Sequence, residues 1–166
     1  PGPGALDLAS GHAHNREKPE KEARRMPAYD PDNIFAKLLR GEIPSTRVYE
    51  DDETLAFMDI MPRADGHLLV IPKTPCRNLL DASPAQIAAV MQTVQKLSHA
   101  VIKGLGADGV TVQQFNEAAG GQEVFHLHMH VLPRKEGDRL RPPGQMGDMD
   151  QIQAQAEKIR AALGRD

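Results

Sequence analysis

The sequence predicts one α+β domain built on a five-stranded, mostly antiparallel sheet, with one long helix, a short N-terminal helix and a C-terminal helix. A chain of 166 residues can bury one core but is too short for two ordinary domains. Five short extended runs are bounded by turn residues, and a long stretch with helical apolar spacing lies between the third and fourth runs. Mostly consecutive strands with a helix between two of them are typical of α+β folds.

The N-terminal segment differs in composition from the rest of the chain. Residues 1–25 contain no aromatic side chain and show no apolar periodicity, which is typical of a segment that cannot offset its ordering entropy. We therefore expect residues 1–29 to be a tail, either flexible or introduced for expression. Residues 30–166 are expected to form a single domain, with a core over 30–135 and a C-terminal loop and helix over 136–166.

The first predicted helix lies in the stretch DNIFAKLLRG. Asp32 or Asn33 can cap its N-terminus, and Gly41 can end it. Three extended runs follow, separated by two aspartates and by the turn-rich stretch MPRADG. The runs that we expect to form an antiparallel meander are STRVYE, TLAFMD and HLLVIP.

The long helix begins with a strong sequence signal. Ser83 and Gln86 can form a capping box, and Pro84 lies at the first helical position. Apolar residues then repeat at helical spacing until Gly104 and Gly106 end the pattern. The repeating residues are Ile87, Val90, Val94, Leu97 and Val101. The stretch predicts a long amphipathic helix.

Two further strands are expected in GVTVQQFN and VFHLHMHVLP, joined by the glycine-bearing loop EAAGGQE. His99 falls opposite the apolar stripe of the long helix, so we expect it at the surface. After an irregular stretch, a last helix carries apolar residues along one face. These residues are Ile152, Ala156, Ile159 and Leu163.

Composition excludes several classes of protein. The formal net charge is −3, with 20 basic against 23 acidic residues, which argues against a broad nucleic-acid-binding surface. Cys76 is the only cysteine, so the chain has no internal disulfide and no thiolate-rich zinc site. No apolar run approaches the roughly 20 residues that span a bilayer. We expect a soluble, cytoplasmic protein that binds neither membranes nor nucleic acid.

Three histidines alternate with apolar residues in the stretch HLHMHVLP. In an extended chain His126, His128 and His130 would share one face, while the intervening apolar side chains serve the core on the other. Three buried imidazoles need a hydrogen-bond partner each, which makes simple packing the weakest explanation. Metal binding and covalent catalysis are the two chemical alternatives.

Metal binding has a geometric difficulty. Successive positions on one face of a strand are about 6.6 Å apart and the outer pair about 13 Å apart, so three rings on a straight strand converge poorly on one tetrahedral ion. Two histidines with a distant carboxylate could still bind zinc. The candidate carboxylates are Asp59, Glu117 and Glu123.

A neutral histidine can instead attack phosphorus through one ring nitrogen, provided that the other nitrogen donates its proton to a fixed acceptor. The stretch NEAAGGQE, just before the histidines, resembles an anion-binding loop. Its glycines allow backbone N–H groups to face an oxyanion, and Asn116 and Gln122 add neutral donors. The middle histidine, His128, is then the candidate nucleophile.

The motif HLHMHVLP resembles the signature of the histidine-triad (HIT) family, and in particular the bacterial Hint-like nucleotide hydrolases and transferases. The stretches DNIFAKLLRGEIPSTRVYEDDETLAFMDIMPRADGHLLVIPK and FNEAAGGQEVFHLHMHVLPR resemble the two halves of that family's domain over about residues 30–135. The resemblance implies a HIT-like fold and a homodimer joined through the long helix and the GVTVQQFN strand. It also implies action at the α-phosphate of a purine nucleotide or nucleotide conjugate, without a cofactor or metal.

The resemblance also implies roles for particular residues. His128 would form a nucleotidyl-histidine, with His126 and His130 beside it and His67 supporting the triad. Asp59 would accept hydrogen bonds from the ribose hydroxyls. The positions that match the base pocket are Ile34, Phe35, Leu38, Phe57 and Ile60. The positions that match the phosphate loop are Asn116, Gly121, Gln122 and Glu123.

The chain departs from the family pattern in two ways. Glu123 stands where many eukaryotic members have Ser or Thr, which leaves only a backbone N–H as a phosphate donor there. The chain also continues past the triad into a further helix. Members that bind structural zinc carry Cys-x-x-Cys where this chain has Asn33 and Ala36.

We expect a hydrolase of the nucleoside-phosphoramidate type. The alternatives are a dinucleoside-polyphosphate hydrolase, a non-catalytic protein that binds a nucleotide or a protein partner, and a metalloprotein.

Overall fold

A computed structural model describes residues 26–164; residues 1–25 of the predicted tail lie outside the described residues, as do residues 165 and 166. The helices are α1 (Ile34–Leu39), α2 (Pro84–Leu105) and α3 (Met149–Leu163). The strands are β1 (Arg47–Glu50), β2 (Thr54–Met58), β3 (Leu68–Pro72), β4 (Gly109–Gln113) and β5 (Met129–Arg134).

The five strands form one antiparallel sheet in the order β1-β2-β3-β5-β4. The first three make the predicted meander. The chain then crosses over through α2 to the edge strand β4 and returns as β5 between β3 and β4. Leu69 of β3 lies opposite His130 of β5, so a histidine enters the centre of the sheet. The predicted α+β class and strand arrangement are confirmed.

Capping residues set the helix ends much as the sequence indicated. Asn33, rather than Asp32, caps α1, because its side-chain oxygen accepts from the backbone N–H groups of Phe35 and Ala36. The capping box at Ser83 is formed in both directions. Gly106 ends α2 at a φ of 68°, which suits glycine.

The sheet has a different apolar layer on each face. One face packs against α2 and α3, and the other packs against α1. All five residues of β2 and of β3 are buried, because both faces of these central strands are covered. The layer on the α1 face consists of Phe35, Leu38, Leu55, Phe57, Leu69 and Ile71.

The C-terminal extension is part of the domain. Helix α3 packs on α2 and β1, and it buries Ile152, Ala156 and Ile159 as predicted. Ala162 completes the buried face, while the predicted Leu163 is only partly buried because it lies at the helix end. In the described part of the chain, no helix has the length and apolar character needed to cross a membrane.

One predicted boundary is wrong. The strand expected over VFHLHMHVLP begins only at Met129, because the preceding residues bend away from β3. The backbone N–H of Leu127 instead donates to the carbonyl of Cys76 in the loop after β3, at 2.9 Å. The boundary of the tail at residue 29 stays a prediction; at that boundary the Tyr29 side chain contacts His126.

Gly104→Ala is expected to lower the free energy of unfolding, although alanine is the better helix former by about 1 kcal/mol. A Cβ at residue 104 would lie 2.7 Å from the Lys158 carbonyl oxygen and 3.1 Å from the Ala162 Cβ. Forcing α2 and α3 apart typically costs about 1–3 kcal/mol, which outweighs the gain in propensity. Urea unfolding measures the difference. Gly120→Ala is the control, since a Cβ there meets nothing within 4 Å. Equal or greater stability for Gly104→Ala would contradict this packing.

Candidate active site

Four imidazoles lie close together beside the α1 face of the sheet. The ring of His128 stands edge-on to Phe35, with centroids 4.9 Å apart, and lies 5.1 Å from the ring of His130. The rings of His67 and His130 are 5.2 Å apart. His126 and His67 are almost completely buried, and His128 is 9% exposed. The structure therefore brings together all four histidines that the sequence singled out.

The hydrogen bonds of His128 define which ring nitrogen is free. Its Nδ1 lies 2.7 Å from the carbonyl oxygen of His126, which can only accept, so Nδ1 carries the proton. Its Nε2 then holds a lone pair and has no hydrogen-bond partner within residues 26–164. No buried side-chain nitrogen or oxygen in that range lacks a partner, so Nε2 reaches solvent. This arrangement is the one that a histidine nucleophile needs.

His126 uses both ring nitrogens within the protein. Its Nε2 lies 2.9 Å from the carbonyl oxygen of Pro72 and therefore carries the proton. Its Nδ1 is 2.6 Å from the hydroxyl of Tyr29. His126 thus has no nitrogen left for a ligand, and its contribution to the site is the carbonyl that holds His128.

A second chain of hydrogen bonds fixes His130. The backbone N–H of Arg63 donates to Nδ1 of His67, so the proton of that ring lies on Nε2. Nε2 of His67 is 2.9 Å from Nδ1 of His130 and 3.5 Å from a carboxylate oxygen of Asp59. Because His130 accepts at Nδ1, its own proton lies on Nε2, which makes no hydrogen bond within the described chain. His130 therefore offers a neutral donor beside the free Nε2 of His128.

Burial keeps these rings uncharged. Removal from water lowers the pKa of His67 and of His126 to about 4 and that of His130 to about 3. Burial also lowers the pKa of His128, although its hydrogen bond to the His126 carbonyl opposes the shift. All four histidines are neutral at pH 7, as nucleophilic attack requires.

One group of side chains in the described chain could hold a metal ion. It consists of Asp59, His67 and His130, whose ligand atoms all lie within 4.8 Å of one another. The hydrogen bonding opposes this use. The Arg63 N–H occupies Nδ1 of His67, so the Nε2 facing the cluster carries a proton rather than a lone pair. An ion would have to displace that proton and break the hydrogen bond to His130.

The loop before the histidines forms a compact turn. Residues Ala118–Gly120 make one turn of 3-10 helix, and Gly121 follows at a φ of 96°. The N–H groups of Gly120, Gly121 and Gln122 close this turn onto preceding carbonyls. The N–H of Glu123 has no acceptor within residues 26–164, and its side chain is exposed. The backbone N–H of Glu123 is therefore a free donor within the described residues.

Arg77 and Asn78 hold this loop, and neither was singled out from the sequence. The Arg77 guanidinium forms a bidentate pair with the Glu117 carboxylate at 2.8 and 3.0 Å, and it stacks on the Phe125 ring at 4.0 Å. Glu117 is the non-glycine residue with positive φ in the described chain, at 63°. The ion pair holds this unfavourable backbone conformation in place. The sequence feature that could have identified Arg77 is a single arginine between apolar residues in the stretch TPCRNLLD.

Gln122 is a structural residue rather than a free phosphate donor. It is 4% exposed, and its amide oxygen accepts from Asn78 and from the Glu117 N–H. Its amide nitrogen donates to the carbonyls of Arg77 and Val124. Both N–H groups of the Gln122 side-chain amide are therefore occupied within the protein. The Asn116 amide nitrogen donates to the Gln114 amide oxygen at 3.0 Å, and its oxygen accepts from the Leu79 N–H.

The residues expected to contact a base divide into two groups. Phe35, Leu38 and Phe57 are buried in the apolar layer, where the Phe35 ring bridges Phe57 and His128. Ile34 and Ile60 are 52% and 45% exposed, so they offer apolar surface to a ligand. Asp59 retains an oxygen near His67 while its other oxygen accepts from the Met61 N–H.

The fold and the site together define a histidine-triad protein, with an antiparallel sheet, three alternating histidines and a glycine-bearing turn before them. The HIT domain profile matches residues 40–137. The chain belongs to the HIT family, whose members include nucleotide-binding hydrolases and transferases.

Several named proteins share this domain. Adenylylsulfatase HINT3 of Arabidopsis thaliana is 41% identical over 109 residues, covering 66% of this chain but only 55% of that protein. The chain therefore spans little more than half of that relative. An uncharacterised HIT-like protein of Methanocaldococcus jannaschii is 43% identical over 105 residues, covering 63% of this chain and 81% of that protein.

Solved structures show the same fold. A Hit-like protein of Bartonella henselae, described as involved in cell-cycle regulation and crystallised with an unknown ligand, has a TM-score of 0.79 and 57% identity, covering 82% of this chain and 99% of that one. A zinc-bound histidine-triad protein of Mycobacterium smegmatis has a TM-score of 0.74 and 36% identity, covering 81% of this chain and 94% of that one.

The free energy of unfolding is expected to fall as the pH is lowered from about 6.5 to about 4. His67 and His126 have an ordinary pKa of 6.5 but a folded-state pKa of about 4, so the unfolded chain binds protons first across this range. Stability is full above about 6.5 and drops by on the order of a few kcal/mol towards pH 4. Urea unfolding at several pH values measures the slope. His126→Asn should flatten it, whereas the exposed His99→Asn should not. A flat profile in the native chain would contradict neutral burial.

Proposed function

We propose that the protein is a nucleotide hydrolase or nucleotidyl transferase that acts at the α-phosphate of purine nucleotide derivatives through a covalent nucleotidyl-histidine on His128. The observation that supports this most directly is the hydrogen bond from Nδ1 of His128 to the His126 carbonyl, which leaves the solvent-accessible Nε2 with its lone pair. The pKa of His128, lowered by burial, keeps that lone pair available at neutral pH.

In the proposed first step, the Nε2 lone pair of His128 forms a bond to the α-phosphorus, and the bond from phosphorus to the leaving group breaks with its electron pair. The imidazole becomes positively charged, and the His126 carbonyl, 2.7 Å from Nδ1, stabilises that charge. The Nε2–H of His130 donates a hydrogen bond to a phosphoryl oxygen, and a basic leaving group such as an amine takes up a proton from solvent as it departs. Water then attacks phosphorus and loses one proton to solvent, and the P–N bond breaks with its electron pair returning to Nε2 of His128.

Other residues support substrate binding in this proposal. The free Glu123 N–H, next to the turn at Gly121, is the backbone group that would donate to a phosphate oxygen. Asp59 accepts from the ribose hydroxyls through the oxygen near His67. Ile34 and Ile60 provide exposed apolar surface for the base.

The leaving group is the open part of the proposal. The name of the Arabidopsis relative denotes an adenylylsulfatase, which makes an adenylyl sulfate a reasonable substrate beside a phosphoramidate and a dinucleoside polyphosphate. Measuring kcat/KM for an adenosine phosphoramidate, adenylyl sulfate and a dinucleoside polyphosphate discriminates among these. Absence of turnover with all three, together with tight nucleotide binding, would favour a non-catalytic role. Stoichiometric zinc in the purified protein would favour the metalloprotein alternative.

Changing His128 to Asn is expected to reduce turnover by at least about 1,000-fold while nucleoside monophosphate binding is largely retained, because only the nucleophile is removed. His126→Asn and His130→Asn should cost less, since these residues position or polarise rather than bond. His99→Asn is the matched control, because that histidine is exposed on α2. Steady-state kinetics and calorimetric binding supply the two measurements.

Rapid quenching of the native protein should trap an acid-labile nucleotide adduct that the His128→Asn variant lacks. Mapping the adduct to another histidine, or near-native turnover in the variant, would refute the assignment.

We also propose a homodimer. Strand β4 is an edge of the sheet, with one side of its backbone unpaired in the described chain and Val112 40% exposed. Met91 and Ile102 of α2 add exposed apolar surface. Equivalent edges that meet across a two-fold axis would cover both features.

Light scattering at micromolar concentration is expected to give twice the chain mass of 18.2 kDa. Val112→Lys should shift the protein towards the monomer, and a monomeric native protein would exclude the dimer.

A further inference from the structure

Tyr29 lies before the first helix, outside the segment that matches the HIT domain, yet it reaches the histidines. Its hydroxyl is 2.6 Å from Nδ1 of His126, and the two rings meet edge to face with centroids 5.7 Å apart. The two residues are separated by 97 positions in the chain. Nothing in the proposed chemistry uses Tyr29 directly.

The direction of this hydrogen bond follows from the other side of the His126 ring. Nε2 of His126 donates to the Pro72 carbonyl, which cannot donate in return. In the neutral ring Nδ1 is then an acceptor, so the Tyr29 O–H must donate to it. Burial raises the pKa of Tyr29 and lowers that of His126, so this proton stays on the tyrosine at neutral pH.

The Tyr29–His126 hydrogen bond can affect the orientation of His128 through the backbone of residue 126. The His126 carbonyl accepts from Nδ1 of His128, and the next N–H, that of Leu127, donates to the Cys76 carbonyl. Pro72 and Cys76 both belong to the end of β3 and the loop after it. Tyr29 is the partner that holds His126 from another part of the chain.

We propose that Tyr29 is a positioning residue: by donating to Nδ1 of His126 it fixes that residue's ring and carbonyl, and through the carbonyl it orients the imidazole of His128 for attack. The inference rests on the proposed function of His128, and it adds a segment outside the family match to the machinery. Tyr29 itself touches no reacting atom.

Tyr29→Phe removes only the hydroxyl and keeps the aromatic ring against His126. We expect kcat to fall by about tenfold or more with KM little changed, because a misdirected nucleophile slows the chemical step rather than binding. The matched control is Tyr49→Phe, which removes the chain's other tyrosine hydroxyl. Tyr49 donates to Asp51 and accepts from Lys96, away from the histidines. An unchanged kcat in Tyr29→Phe would overturn the proposal.

Nitrogen-15 NMR of the histidines gives a readout that does not depend on turnover. Loss of the O–H donor removes a bond that favours the neutral ring, so the pKa of His126 should rise in Tyr29→Phe and stay unchanged in Tyr49→Phe. The other titratable or charged groups that act on this pair are Asp30, Arg40, Cys76, Asp81 and His128. They are unaltered in both variants. An unshifted His126 resonance would overturn the contact itself.

A second probe leaves the hydrogen bond intact and so avoids any loss of folding. In the Tyr49→Phe background, 3-fluorotyrosine is incorporated only at position 29, and its fluorine resonance reports the ionisation of that hydroxyl. We expect a pKa above that of the free amino acid, reverting towards it in His126→Asn. An ordinary pKa in the protein that retains His126, or a raised pKa that His126→Asn leaves unchanged, would overturn the proposal.

Two truncations separate Tyr29 from the segment before it. Deleting residues 1–25 should leave kcat unchanged, whereas deleting residues 1–29 should reproduce the Tyr29→Phe loss. Equal activity in the two truncations would overturn the positioning role. If His128→Asn retained turnover while the NMR shifts appeared, the proposed reaction would fail and the contact would stand, so the two failures are distinguishable.

Discussion

The site depends on one constraint: several imidazoles are buried together, and each must stay neutral with a partner for each hidden nitrogen. Main-chain groups meet most of this demand. The carbonyls of His126 and Pro72 accept from one ring each, and the Arg63 N–H donates to a third. Because a carbonyl can only accept and an N–H can only donate, these partners select the tautomers. The free lone pair on His128 and the free N–H on His130 are consequences of that selection.

Local sequence signals were enough for the fold. The capping box at Ser83, the helical repeat after it and the alternating strands each depend on residues a few positions apart, so composition and spacing predict them. The sequence pattern also identifies the histidines. It does not predict the contacts that orient them, because Tyr29 and His126 are 97 residues apart and Arg77 and Glu117 are 40 apart. A sequence pattern can identify the side chains of a site, whereas the residues that hydrogen-bond to those side chains depend on the tertiary fold.

The family match, residues 40–137, contains the four histidines but not everything that braces them. On the N-terminal side, Phe35 packs against the His128 ring. On the C-terminal side, the Arg141 N–H donates to the Arg63 carbonyl and the Gly147 N–H donates to the Ile60 carbonyl. These bonds tie the C-terminal extension to the loop that presents Asp59 and Arg63. Segments outside the matched domain therefore hold both sides of the site.

The bend before β5 explains why the middle histidine differs from its neighbours in hydrogen bonding. In a regular strand the carbonyl of residue i−2 points towards a neighbouring strand, where it is used in the sheet. Here the chain leaves β3 before Met129, and the His126 carbonyl turns back to meet Nδ1 of His128 at 2.7 Å. His130, already within β5, takes its Nδ1 partner from His67 instead. A continuous strand would have kept the alternating faces that the sequence suggested but would have left His128 without its carbonyl acceptor. The interruption of the strand is therefore what distinguishes one imidazole from its neighbours.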